Sequence, residues 1–311
     1  MEKSMTQLTG NATIVDHSLR ETTTHGTEGF PFAVYLDDFS NFQNGFICWH
    51  WHEEVQITVI LEGNFTCQIG SDKVLMKPGE LIFINSRALH QICPVQKSYG
   101  KLYSFIWRAD MLAGNTECDL FCNCIEHVIR SNRNYIFWDR ENQPGKQLRT
   151  SLLRIVNIMT EKAKLYELRV YHQLARIWLE LSEYLIDTER YETHSGVNGM
   201  VKARDEERVR NAMQYMQEFF DRDISLEDIA RAAMTNRSEL CKSFRRTLDT
   251  SPKEFLLQYR IRQSLILLEN PNLRIADISE MTGFCSPSHY GLHFQKHMGC
   301  TPLQYRKSLL Q

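Results

Sequence analysis

Residues 224–255 read ISLEDIARAAMTNRSELCKSFRRTLDTSPKEF, and residues 273–305 read LRIADISEMTGFCSPSHYGLHFQKHMGCTPLQY. The two stretches are one pattern written twice. Phe244 and Phe294 stand 50 positions apart, as do Leu240 and Tyr290, Asp249 and Gly299, Pro252 and Pro302, and Phe255 and Tyr305, while Ile229 and Ile278 are 49 apart. Two copies are too few for a solenoid, so the repeat predicts a tandem pair of helical units. In the first, Ser225 precedes the apolar-periodic LEDIARAA, Met234 and Thr235 make a turn, and Asn236 opens a second helix with Glu239 in capping-box position. In the second, Gly283 and Phe284 make the turn, and Ser286 with Pro287 supplies an N-cap followed by a first-turn proline.

Leu240 with Phe244, and Tyr290 with Phe294, are i,i+4 pairs that face each unit's own core. The opposite face of the first unit's second helix then carries Arg237, Ser238, Cys241, Lys242 and Arg245. A short helix exposing basic and small polar groups over its first two turns fits the DNA major groove, where Arg and Lys reach base edges or phosphates. A plain helical hairpin with a solvated face would explain one such unit, but not the duplication of the capped helix. Between the units, PKEFLLQYRIRQSLILLEN (252–270) reads as a rigid spacer setting the two helices about one DNA turn, ~34 Å, apart.

Outward from this repeat, 311 residues make roughly two domains. Hydrophobic residues at 42% and charged residues at 24% are ordinary globular usage, which excludes a disordered or fibrous chain. No apolar run approaches the ~20 residues of a membrane helix and the start lacks a signal-peptide stretch, so a cytoplasmic protein with no membrane partner is expected. Nine cysteines, odd in number and scattered, fit reduced thiols. The cluster Cys118, Cys122 and Cys124 has no second Cys or His pair at zinc spacing nearby and reads as thiols on a helix. The net charge of -2 is unevenly spread: from residue 200 onward 17 Lys and Arg face 14 Asp and Glu, against 19 and 24 before it.

From Phe30 to Ile106 short apolar runs alternate with turn residues, predicting antiparallel strands in a sandwich or small barrel. From Gln143 to Thr188 the period changes to three and four: Leu148, Leu152, Ile155 and Ile158, then Leu174, Ile177 or Trp178, Leu181 and Leu185, mark two amphipathic helices. The polar stretch ERYETHSGVNGMVKARDEE has no apolar period and reads as a linker. The expected organisation is an N-terminal extension (1–25), a barrel (26–142), a helical segment (143–190), a linker (191–206) and an all-helical C-terminal domain (207–311). The class is α+β: an N-terminal all-β barrel with appended helices and a C-terminal all-α tandem helix-turn-helix domain.

The run ISLEDIA, LCKSFRR, TSPKEF, repeated as IADISEMTGF, YGLHF, CTPLQYR, resembles the double helix-turn-helix domain of the AraC/XylS family of bacterial transcription regulators over about 100 residues. The resemblance implies that the second helix of each unit reads the major groove, through Arg237, Ser238, Cys241 and Lys242 in the first and Ser288, His289, Gly291 and Leu292 in the second. Three features depart from the family pattern. Met234 stands where the first turn commonly has Gly, and Asp249 where a Gly commonly ends the helix; Asp tolerates the left-handed conformation better than most residues. Gly291 lies inside the second reading helix, beside Leu292 where a polar reader is usual, so the first unit is expected to lead in base recognition, with Leu292 left for a thymine methyl.

The segment HWHEEVQITVILEGNFTCQIGSDKVLMKPGELIFINSRALHQI (50–92) looks like the cupin barrel at the N-terminus of many such regulators. Metal-binding cupins would place ligands at His50, His52, Gln56 and His90, with Gln56 standing in for the usual Glu. The same histidines could instead line a small-molecule pocket or satisfy buried hydrogen bonds, and no cofactor is expected. Trp49, Trp51 and Trp107 are candidate apolar pocket walls, each equally readable as core filling. Of Glu53 and Glu54, at most one can share the histidines' side of a strand. The resulting expectation is a non-enzymatic regulator that binds promoter DNA, senses a small-molecule effector in the barrel, dimerises through residues 143–190 and activates transcription through RNA polymerase. The alternative is a metal-dependent cupin oxygenase or isomerase fused to a DNA-binding domain.

Overall fold

A computed structural model describes Val15 and residues 19–40, 46–96, 99–131, 133–161, 163–189 and 196–309, with backbone alone for 188–189, 196–203 and 308–309. It divides into two compact units, in the main Arg20–Gly196 and Val197–Gln311. The α+β class is the one observed.

The N-terminal unit stacks two antiparallel sheets. The first, in the order β1-β8-β3-β6-β9, is built from Phe32–Asp38, Lys101–Trp107, Val55–Glu62, Leu81–Ile84 and Tyr135–Trp138. The second, in the order β2-β7-β4-β5, is built from Ile47–His50, His90–Pro94, Phe65–Ile69 and Asp72–Met76. Because side chains alternate along a strand, each strand of the first sheet serves two environments. Val55, Ile57, Val59, Phe105 and Trp107 face one side and join a core with Leu148, Leu152 and Ile155 of α2 (Gln143–Thr160) and Leu174, Ile177, Trp178, Leu181 and Leu185 of α3 (Tyr166–Glu189). Ile60, Ile82, Ile84 and Leu102 face the other and meet Phe65, Cys67, Ile69 and Ile92 of the second sheet inside the barrel. A short helix α1 (Glu126–Ile129) precedes β9. The helical hairpin thus covers the outer face of one sheet, leaving the space between the sheets to set the site.

The C-terminal unit is helical: α4 (Gly196–Glu218), α5 (Leu226–Ala232), α6 (Arg237–Leu248), α7 (Pro252–Leu268), α8 (Ile275–Met281), α9 (Pro287–Met298) and α10 (Pro302–Leu309). The stretch read as a linker differs from expectation. Residues 190–195 lie outside the described residues, but α4 begins at Gly196, because VKARDEERVR is rich in helix formers and needs no apolar period to stay helical. Asp205, assigned to that linker, is instead a buried anchor that accepts from Ser243 Oγ at 2.7 Å and from Arg246 at 2.8 Å, tying α4 to α6.

The two units of the repeat superimpose in chemistry. Phe244 meets Phe255 edge-on at 5.9 Å between ring centroids, and their counterparts Phe294 and Tyr305 meet edge-on at 5.7 Å. The capping pattern is partly shifted: Asn236 caps the Glu239 amide at 2.9 Å, but the Glu239 carboxylate turns to Lys242 at 2.8 Å, and the reciprocal box forms at Ser225 and Asp228. Ser286 caps α9 as expected.

Equivalent turns take the left-handed conformation, at Met234 (φ 48°) and Gly283 (φ 74°), and equivalent helix ends do so at Asp249 (φ 52°) and Gly299 (φ 73°). The two turns differ in room. A Cβ on Gly283 would clash with the Phe220 carbonyl oxygen and lie 3.0 Å from the Arg260 guanidinium, whereas Met234 is 79% exposed. Gly283→Ala should therefore destabilise the C-terminal unit by more than about 2 kcal/mol, while Met234→Gly, which relieves left-handed strain and surrenders little packing, should stabilise it by up to ~1 kcal/mol. Urea unfolding followed by far-ultraviolet circular dichroism checks both signs.

Candidate effector site and nucleic-acid interface

The inner face of the barrel is apolar on one side and polar on the other. A bulge between Ile47 and His50 resets β2, so that His50 pairs directly across from His90 on β7. The rings of His50 and His90 lie 4.1 Å apart between centroids, with His52 at 5.7 Å and 5.3 Å from them, and one ligand nitrogen from each of the three lies within 4.8 Å of the others. The Nδ1 atoms of His50, His52 and His90 face the carbonyl oxygens of Cys48 (2.8 Å), Glu54 (3.0 Å) and Ala88 (2.8 Å). An Nδ1–H donated there leaves the Nε2 lone pair facing inward. Burial lowers all three imidazole pKa values, that of His50 to about 4, which keeps the rings neutral. His90 Nε2 is buried and finds no hydrogen-bond partner among the described residues.

Gln56 extends this polar face along β3: its amide lies 3.0 Å from His52 Nε2 and 2.8 Å from Thr58 Oγ1. Both nitrogens of His52 face oxygens, and a neutral ring has one N–H; with Nδ1–H donated to Glu54, the Gln56 amide turned over donates to Nε2 and occupies its lone pair. The residues present fit a metal ion through His50 and His90, each oriented by a backbone carbonyl, and through His52 once Gln56 swings aside. Among the described residues they are the one such cluster of three or more His, Cys, Asp or Glu; Cys118, Cys122 and Cys124 are not another.

Sequence reasoning missed the groups that complete the face. Glu21 and His25, assigned to an extension outside the barrel, enter its mouth: the Glu21 amide donates to the Trp51 carbonyl at 2.8 Å, and Gly26 (φ 82°) turns the chain back toward β1. Glu21 Oε2 lies 3.4 Å from His25 Nε2 and 3.9 Å from His50 Nε2, and His25 Nδ1 meets the Tyr35 hydroxyl at 3.0 Å. Burial opposes ionisation of Glu21, but the close approach of His25 and the charge that the His50, His25 and His52 rings carry when protonated outweigh it and hold the carboxyl down to about 2. Deeper in, Ser104 donates to Asp37 at 3.0 Å. An acid at an inward position of FAVYLDD was the one signal available for Asp37; Glu21 and His25 carried none. The mouth opens into a cavity of about 480 Å³ lined in part by Arg20, Glu21, Thr24, His25, Glu54 and Arg108.

The tryptophans divide. Trp107 is not a pocket wall: it points to the outer face of β8 and packs edge-on against Trp178 of α3 at 6.2 Å, in the core beneath the helices. Trp49 is buried, and Trp51 lies under the Arg20 guanidinium at 5.8 Å beside the mouth. Glu54 lines the cavity while Glu53 turns outward to Arg87 at 2.7 Å.

In the C-terminal unit, Leu240, Ser243, Phe244 and Leu248 form the buried side of α6, and Arg237, Ser238, Lys242 and Arg245 are exposed, with Cys241 half-buried between them. The cations are held loosely by neighbouring acids, Arg237 to Glu227 at 3.6 Å, Lys242 to Glu239 at 2.8 Å and Arg245 to Asp249 at 3.4 Å. On α9 Ser288 and Leu292 are exposed, Leu292 by 67%, while His289 is half-buried against Phe284 and His293. Gln295 and Lys296 are further exposed polar groups on α9 that sequence reasoning did not single out.

A capped, duplicated helix-turn-helix unit following a two-sheet barrel defines a DNA-binding regulator with a cupin domain. Residues 229–308 match a helix-turn-helix domain model and residues 43–95 a cupin domain model. The HTH-type transcriptional regulator YdeC of Bacillus subtilis is 29% identical over 94% of this chain and 98% of its own length. The melibiose operon regulatory protein of Escherichia coli is 23% identical over 83% of each chain. Among solved structures, an AraC-type regulator from Chromobacterium violaceum is 26% identical, covering 34% of this chain and 94% of that one with a TM-score of 0.32. The chain thus carries an N-terminal cupin domain and a C-terminal helix-turn-helix domain, and along most of its length it is similar to an HTH-type transcriptional regulator.

Asp37 gives the barrel a pH signature. Burial, reinforced by the nearby Glu21 charge and only partly offset by the Ser104 hydroxyl, raises its carboxyl from 3.8 to about 7. The folded state therefore holds a proton that the unfolded chain releases near pH 4, and stability falls as pH rises through this window, the loss becoming complete above about 7. Asp37→Asn should melt at a higher temperature than the parent chain at pH 8, with the gap closing toward pH 5; thermal unfolding at both values checks it.

Proposed function

We propose that the chain binds promoter DNA through α6 and α9, as a homodimer, under the control of a small hydroxyl-rich effector held at the polar mouth of the barrel. The observation that carries the effector reading is the buried polar face of His50, His52, His90, Gln56 and Asp37 beside Glu21, which also lines a cavity of a size that suits a sugar-like molecule. A relative named for a melibiose operon supports that chemistry. Arg237, Ser238, Cys241, Lys242 and Arg245 make the leading base and phosphate contacts, with Ser288, His289 and Leu292 secondary. Activation through RNA polymerase, in the cytoplasm, is the sign and setting that the family resemblance suggests. The imidazole cluster gives the enzyme alternative a place for a metal, but the relatives matched along most of the chain are named as regulators. A bound ion would act as a Lewis acid holding an effector oxygen, while Glu54 and Arg108 bind and orient its polar groups.

The dimer rests on α3. Its buried face serves its own unit, while Leu168, Leu179 and Ile186 are 66%, 59% and 45% exposed. With positions 172, 175 and 182 they step by four and three along one stripe, the spacing of a helix–helix seam, which suits a second copy of the same helix.

Two measurements test this reading. Lys242→Ala should weaken binding to sites recovered from genomic DNA by ~1 to 3 kcal/mol, as read by fluorescence anisotropy; unchanged affinity contradicts the α6 assignment. Leu179→Glu should convert a dimer to a monomer in sedimentation velocity while leaving the melting of the barrel unchanged.

A further inference from the structure

The two units of the repeat use one face of their second helices differently. On α6, Glu239 and Ser243 are both spent on partners: Glu239 meets Lys242 and Arg208, and Ser243 donates to Asp205 of α4. Fifty positions on, the same places on α9 hold His289 and His293, while the Arg246–Asp205 tie recurs as Lys296 with Glu254 of α7 at 3.4 Å. The imidazoles have no such partners. Both residues are half-buried, and the Nδ1 of each is buried without a hydrogen-bond partner among the described residues. One turn apart on one helix face, the two rings lie 4.5 Å apart between centroids, with Phe284 against both. His297, the next residue of the stripe, turns instead to Glu254 at 3.4 Å. Burial first, then the His289, His297 and Lys296 charges, lower the His293 pKa against the pull of Glu254, so that this ring keeps a free lone pair at neutral pH. We propose that His289 and His293 form a site for a late first-row divalent cation, copper, nickel or zinc, on α9 and separate from the barrel. Two imidazoles four residues apart on a helix are a chelating pair, and an ion bound at ~2.0–2.1 Å needs their nitrogens only roughly 3 Å apart. Rotation about χ2 is soft, and nothing at Nδ1 holds either ring against it. Nitrogen ligands, with water filling the other positions, select these ions over magnesium and calcium. The clip also spans Gly291, a glycine inside the helix with open space around it, so a bound ion stiffens the turn that glycine weakens. The site stands whether or not α9 enters a DNA groove.

The test is titration of the chelator-stripped full chain with Cu²⁺, followed by electron paramagnetic resonance and by the imidazole resonances in nuclear magnetic resonance. Because the barrel histidines can take the same ion, the result is read as a difference between variants. One nitrogen-coordinated Cu²⁺ should persist in His90→Ala and lose about tenfold or more in affinity in His289→Gln and in His293→Gln. The ion should also raise the melting temperature of the parent chain more than that of His293→Gln. Equal Cu²⁺ affinity in parent and His293→Gln, or loss of all uptake in His90→Ala, overturns the proposal. The parent chain supplies a test that no variant's folding affects: the first ions added should broaden the His289 and His293 resonances together, and broadening that spares them overturns the proposal. Loss of DNA binding in Lys242→Ala tests the α6 assignment alone and leaves this site untouched.

Discussion

A buried guanidinium organises the C-terminal unit. Arg260, 9% exposed on α7, donates from Nε to the Phe220 carbonyl at 2.8 Å and from NH2 to the Arg222 carbonyl at 2.6 Å, satisfying backbone acceptors beyond the end of α4. A charge so placed is tolerable because its donors meet fixed carbonyl dipoles, and losing them would strand it. The Phe220 carbonyl is also what the turn of the second helix-turn-helix unit packs against, so α4, α7 and that turn share one contact region. This explains why the second turn requires glycine while the first carries an exposed methionine in the same backbone conformation. The repeat is symmetric in its caps and ring pairs and asymmetric in what surrounds its turns.

The barrel is organised by a different constraint, the two-residue alternation of its strands. One face of the larger sheet is spent on α2 and α3, so what lies between the sheets is free to be partly polar. There Gln56, Thr58, Ser104 and Asp37 are buried yet linked by hydrogen bonds to neighbours, and the histidines spend one nitrogen each on backbone carbonyls. Polar burial of this kind stabilises little by itself, since each bond replaces one to water. Its value is a pre-oriented surface that a small ligand or ion can use.

The tandem unit was legible because its signals are local. Caps, the prolines at the starts of α7, α9 and α10, i,i+4 apolar pairs and the 50-residue repeat all operate within a few turns of helix, and the structure bears them out, apart from the displaced capping box. The linker was misread because a helical stretch without an apolar stripe looks like a loop in sequence, and Asp205 became structural only through Ser243 and Arg246 on α6. His50, His52, Gln56 and His90 could be grouped from the cupin resemblance, but Trp107 could not be placed: its side of the strand depends on register with β1 and β3.

What the sequence by itself determined is the architecture: a strand-rich half, an amphipathic helical hairpin and a duplicated helix-turn-helix with a basic face on its first reading helix. Those features follow from periodicity and turn chemistry, which act between residues close in the chain. Only the tertiary structure decided which side chains share the barrel mouth. Glu21 reaches His50 and His25 reaches His52, with Tyr35 behind His25 and Asp37 paired to Ser104, through strand pairing, a bulge in β2 and a glycine turn at Gly26, and a one-residue change in any register would send the alternate side chains inward instead.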